Sequence, residues 1–150
     1  MQFVQNGPDI PERLLQAHED GKVVFFCGSG ISRDAGLSDF GGLVDDIYEE
    51  LGTYKEPLEK SSFKNGRFDE TLGLLERRYT GQKEAFRPSI PRVLNPDLKT
   101  KRSRVVHDAL IGLATNRSGS TRLVTTNFDR IFEKRLRALK KKDPHYSAPT

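Results

Sequence analysis

The sequence predicts an α/β domain: a parallel sheet with helices on both faces and a helical insertion at about residues 52–102. Three observations carry that expectation. Two short apolar, β-branched runs, at residues 22–27 and 122–125, each end in a loop of small or polar residues. Segments of helical period alternate with them, and such alternation favours parallel strands joined by helical crossovers. Only two convincing strands are present, however, and a two-stranded sheet is marginal by itself. The domain therefore reads as incomplete, with later strands expected beyond residue 150.

The elements come in order. A helix is expected near residues 10–20, with Asp9 as cap, Pro11 in the first turn, Gly21 as stop, and Leu14, Leu15, Ala17 and His18 as its apolar stripe. Lys22-Val23-Val24-Phe25-Phe26-Cys27 then reads as a buried strand running into Gly28-Ser29-Gly30-Ile31-Ser32. Leu43, Val44, Ile47, Tyr48 and Leu51 repeat at helical spacing before Gly52. Residues 52–66 are polar and turn-rich. Phe68, Leu72, Leu75 and Tyr79 mark another helix, and Pro88, Pro91 and Pro96 break up the region after it. Val105, Val106, Ala109, Leu110 and Leu113 make a further helix. A turn at residues 116–120 leads to the second strand, Arg122-Leu123-Val124-Thr125. A last helix carries Ile131, Phe132, Leu136 and Leu139. The arrangement is Rossmann-like, in one domain over residues 1–150.

Composition narrows the function classes. Of the 150 residues, 35% are hydrophobic and 31% charged, which is polar for a folded domain without being disordered. The single cysteine, Cys27, excludes an internal disulfide and a zinc ribbon. No run approaches the roughly 18 apolar residues of a membrane span, and the first residues do not resemble a signal peptide. A cytoplasmic protein is the default, with neither a metal nor a membrane expected. The net charge of +4 owes much to residues 134–142. No aromatic residues interleave with those cations, so they read as a solvated helix face rather than a nucleic-acid surface.

Two motifs carry chemistry. Gly28-Ser29-Gly30 after a strand would let backbone N–H groups approach a pyrophosphate. It is not the ordinary dinucleotide fingerprint, because the third glycine would fall at Arg33. Thr125-Thr126-Asn127-Phe128-Asp129 ends the second strand, at the sheet edge where open α/β sheets bind ligands. Asp129 would equally serve to cap the helix after it.

Together, Gly28-Ser29-Gly30-Ile31-Ser32, Ala35-Gly36-Leu37-Ser38-Asp39-Phe40 and Thr125-Thr126-Asn127-Phe128-Asp129 resemble the sirtuin patterns Gly-Ala-Gly-Ile-Ser, Ser-Gly-Ile-Pro-Asp-Phe and Thr-Gln-Asn-Ile-Asp. His107 with Ala109-Leu110 resembles a helix motif between them. The resemblance spans about residues 22 to 133 and implies NAD as substrate. Gly28, Ser29 and Gly30 would wrap the pyrophosphate, with Ile31 close to the cofactor. Asp39 and Phe40 would cover the nicotinamide ribose. Asn127, beside Thr126, would be catalytic, holding the ribose hydroxyls or a water near the reacting carbon. Asp129 would bind the nicotinamide carboxamide.

The departures from the pattern are informative. Ser29 replaces alanine, Gly41 stands where many sirtuins carry arginine, and the four zinc cysteines of deacylases are absent from these residues. These point towards the sirtuin-like NAD hydrolases of bacterial anti-phage defence, which deplete the host cofactor. By analogy a homo-oligomer is expected, with a HerA-like ATPase as a possible partner. The alternatives are an NAD-dependent deacylase and a non-catalytic NAD or ADP-ribose sensor. The resemblance also implies a catalytic histidine after the asparagine motif. His18 and His107 read as packing residues. His145 lies 18 residues beyond Asn127, but no apolar strand precedes it and no glycine comes after it. The base is therefore expected beyond residue 150.

Overall fold

The computed structural model describes residues 1–142, and the side chains of all of these except residues 82–84 and 140–142. In chain order they form α1 (Glu12–Glu19), β1 (Phe25–Cys27), a 3-10 helix (Ser29–Ala35), α2 (Phe40–Glu50), α3 (Pro57–Lys64), α4 (Phe68–Arg78), a 3-10 turn (Thr80–Gln82), α5 (Lys83–Val93), α6 (Val105–Ala114), β2 (Leu123–Thr125) and α7 (Ile131–Lys142).

This is not the Rossmann-like sheet with helices on both faces that the sequence predicts. The described chain is mostly helical, and its one sheet is a parallel pair with Phe25 opposite Leu123, Phe26 opposite Val124 and Cys27 opposite Thr125. Successive side chains of a strand point to opposite faces. Phe25, Cys27 and Leu123 face inward, packing with Ile111 of α6 and Phe132 of α7. Phe26 and Val124 face outward and are 72% and 47% exposed. The helices of residues 40–93 do not return to cover that outer face. They pack on one another instead, α2 against α4 and α5, and α3 against α4. The first strand, expected to be buried, is thus half-open and shorter than residues 22–27.

The helical region owes its order to its own apolar stripe. Val44, Ile47, Tyr48, Leu75 and Phe86 are buried together, with Leu43, Phe68, Leu72 and Ile90 around them. Asp39 caps α2 by accepting from the Gly42 N–H at 3.0 Å, and Gly52 comes just past the helix at φ +61°, where glycine carries no Cβ penalty.

Residues 52–66, polar and turn-rich by sequence, contain α3. Pro57 opens it, and Glu56 and Glu59 form a reciprocal capping box. The prolines at 88 and 91 lie inside α5 rather than breaking it. An interior proline opposes a helix by roughly 3 kcal/mol, and here the packing of Phe86, Ile90 and Val93 on the cluster around Ile47 outweighs it.

Helix α1 sits at the margin. Pro11 is its N-cap, while Asp9 pairs with the Met1 amine instead of capping. His18 anchors the helix by a 2.7 Å contact from Nε2 to the Leu113 carbonyl and an edge-on approach to Phe25. No helix among the described residues is long and apolar enough to cross a membrane.

Candidate functional site

Both strands end at the same edge, so their parallel pairing brings the two sequence motifs together. The loop after β2 is tied to β1 by its backbone: Thr126 N–H and Thr125 Oγ1 both donate to the Cys27 carbonyl, at 3.2 and 3.1 Å. Thr125 Oγ1 also accepts from the Asn127 N–H at 3.1 Å. These bonds fix where Asn127 starts.

Its side chain is fixed by a relay. Ser32 Oγ donates to Asp129 Oδ2 at 2.8 Å, and Asn127 Nδ2 donates to Ser32 Oγ at 3.1 Å. Because the serine proton is committed to the carboxylate, only the amide N–H₂ can face Ser32. That turns Asn127 Oδ1 the other way, where it is buried with no hydrogen-bond partner among the described residues. A buried acceptor left unpaired costs roughly 1–3 kcal/mol. Such orphans are rare enough to mark a place where a ligand or water belongs.

Asp129 has two roles. Its Oδ1 accepts from the Ile131 N–H at 3.0 Å, so it caps α7, while Oδ2 holds Ser32. The helix-cap reading of Asp129 is realised, and its second oxygen is taken up by Ser32.

The glycine turn supplies open backbone. Gly28 has φ −103°, and Gly30 is not among the positive-φ glycines. A Cβ built on either would meet no atom within 4 Å. Neither the backbone conformation nor internal packing requires glycine at these positions. What the glycines preserve is free space beside the main chain.

Between the turn and the Asn127 loop lies a cavity of about 210 Å³, bounded by Ser29, Ser38, Asp39, Thr126, Asn127 and Asp129 among others. Two of these residues are carboxylates, and none of the described residues lining it is a cation. A second cavity of about 800 Å³ adjoins it, sharing Phe40, Leu43, Leu94 and Phe128. That volume is at the upper end of the roughly 300–1,000 Å³ typical of small-molecule sites. Most of its walls come from α2, α4 and α5, with Phe128, Arg130 and Lys134 completing them, so the helical region of residues 40–93 forms most of the larger half of the cleft. Phe128 stands between the two halves and is 80% exposed.

The structure thus brings Ser29, Asp39, Phe40, Thr126, Asn127 and Asp129 around one cleft, with Gly28 and Gly30 flanking Ser29. Ile31 is placed differently. It packs against the cluster of Cys27, Ile111 and Phe132. Ser32, which the sequence motif leaves without a role, is the residue that joins Asn127 to Asp129. Its type alone could not reveal this, since both partners lie more than 90 residues away in sequence.

Neither described histidine lines either cavity. His18 is bound to Leu113, and His107 is fully buried edge-on to Phe132, ring centroids 4.8 Å apart. Burial pushes His107 below its ordinary value, against the pull of the Asp129 and Asp108 carboxylates. Burial likewise pushes the Cys27 thiol up, so it behaves as a small apolar side chain. His145 lies outside the described residues.

No family model matches the chain, and no solved structure matches it. Over 133 residues it is 35% identical to an uncharacterized protein of Sinorhizobium fredii, y4cA. The similarity takes in 87% of this chain and 10% of that protein, so the chain spans about a tenth of its relative's length.

Proposed function

We propose that this chain binds NAD across the cleft between the glycine turn and Asn127, and that the site serves hydrolysis of NAD to nicotinamide and ADP-ribose. The observation that carries the reading is the orphaned, buried Oδ1 of Asn127, held in place by Ser32 and Asp129. A fixed acceptor there would take a hydrogen bond from a ribose hydroxyl or from the attacking water. Its partial negative charge would favour the oxocarbenium character that develops as the glycosidic bond breaks. Glycine backbone with free space beside it fits a pyrophosphate. The role of effector in bacterial anti-phage defence, acting as a homo-oligomer or with a HerA-like ATPase, rests on the sirtuin-like motifs.

One observation favours a second reading, a binding module that senses NAD or ADP-ribose without turnover. Neither His18 nor His107 reaches the cleft, so no described histidine can act as the base.

The test is calorimetric NAD binding and nicotinamide release by the full-length gene product, beside Asn127→Ala and Gly30→Ala. The parent should bind and cleave. Asn127→Ala should lose release by about a hundredfold, the scale of one oriented polar group at a reacting centre. Gly30→Ala should keep its fold, because a Cβ meets nothing internal, yet bind NAD weakly. Binding without release would select the sensor. A parent that binds no NAD would end the proposal.

A further inference from the structure

We infer that Arg33 is the cation that receives the ligand's phosphates, an inference that rests on the NAD reading above. The small cavity presents a charge problem. Its described walls include the Asp39 and Asp129 carboxylates and no cation, whereas a pyrophosphate is itself an anion. Asp129 spends both oxygens internally, on Ser32 and on the Ile131 N–H. The repulsion facing a phosphate therefore comes chiefly from Asp39, which stands at the open side.

Arg33 is placed to remove it. It lies in the 3-10 helix that continues directly from the glycine turn, and its Nη2 donates to Asp39 Oδ2 at 3.2 Å. Arg33 is 67% exposed and Asp39 61%. A pair that exposed holds its partners weakly. A guanidinium offered a phosphate gains a fork of two charge-assisted hydrogen bonds, a better match than one bond to a solvated carboxylate. The exchange leaves the fold intact, because Asp39 caps α2 through its other oxygen, Oδ1, which accepts from the Gly42 N–H. The three cations on the larger cavity do not substitute for it: Arg87, Arg130 and Lys134 line that chamber and not the smaller one, and Lys134 is bound to Asn95. In the free protein Arg33 masks the acid at the mouth of the site, and with ligand it turns to the phosphates.

The experiment is ADP-ribose binding by the full-length protein, measured across a salt series for the parent, Arg33→Gln and Arg33→Lys. Arg33→Gln should weaken binding about tenfold or more, with a flatter dependence on salt because one ionic contact is gone. Thermal unfolding should not move, and Arg33→Lys should recover part of the affinity. An Arg33→Gln protein that binds as the parent does would overturn the inference and leave the NAD reading standing. So would weaker binding with an unchanged salt dependence, which would mean loss of structure rather than of a phosphate contact. A parent that fails to bind ADP-ribose would take both readings down together.

Discussion

Helices α2 to α5 close around Val44, Ile47 and Leu75, all fully buried, whereas the two strands with α6 and α7 close around Cys27, Ile111 and Phe132. The helical region supplies its own lid, since every helix has a neighbour to receive its apolar stripe. The strand region does not. Its inner face is packed, its outer face exposes Phe26 and Val124, and two strands are too few to hide both sides. Yet the less complete region carries the site's polar groups. Parallel strands end at the same edge, which delivers the glycine turn and Asn127 to one place without a large core beneath them. The helical region contributes the apolar wall opposite. The chain separates stability from chemistry, and the cleft lies where the two regions meet.

That division can be broken at its strong side first. Leu75→Ala empties a fully buried position in the helical cluster and should lower stability by about 3 kcal/mol. Urea unfolding would register it. A loss below about 1 kcal/mol would mean that this cluster is not the main core.

Ser32→Ala probes the other region. It strips Asp129 Oδ2 of the hydroxyl that donates to it and frees the Asn127 amide, at a cost of roughly 1–3 kcal/mol. Its effect on nicotinamide release should exceed what that lost stability explains. Equal binding and turnover in the variant would show that Asn127 does not need the relay.

The smallest effect is one of pH. His107 is buried between α6 and α7 with Asp108, Asp129 and Arg135 around it, and burial lowers its pKa below 6.5. The unfolded chain therefore binds the proton more readily than the folded one. The stability this group contributes is fully present above pH 6.5 and falls as the pH drops below that value. The slope from one such group is at most about 1.4 kcal/mol per pH unit. Unfolding of parent and His107→Gln, compared between pH 7.5 and 5.5, should show the slope only in the parent. A parallel pair of curves would remove His107 from the account.

Much of this was readable in the residues. Apolar spacing located α1, α2, α4, α6 and α7, and small residues after the first strand and polar ones after the second located the two loops that meet at the cleft. Helix α3 escaped because its residues 57–64 are polar, and its capping box looks like a turn until the helix is seen. Helix α5 escaped because Pro88 and Pro91 oppose a helix locally, and only contact with the cluster around Ile47 reverses the balance.

Local sequence by itself determined which segments are helical by period, about where the two strands lie, and which polar residues come after each strand, because these depend on spacing and residue type over a few positions. Tertiary structure alone decided three matters: that the sheet keeps one face open, that Ser32 is the hinge between Asn127 and Asp129, and that Arg33 stands against Asp39. The first depends on where the helices of residues 40–93 find their partners, and the second joins groups more than 90 positions apart. The third needs the turn that folds the 3-10 helix back towards α2. No local propensity encodes a meeting of that kind; it is settled when the chain packs.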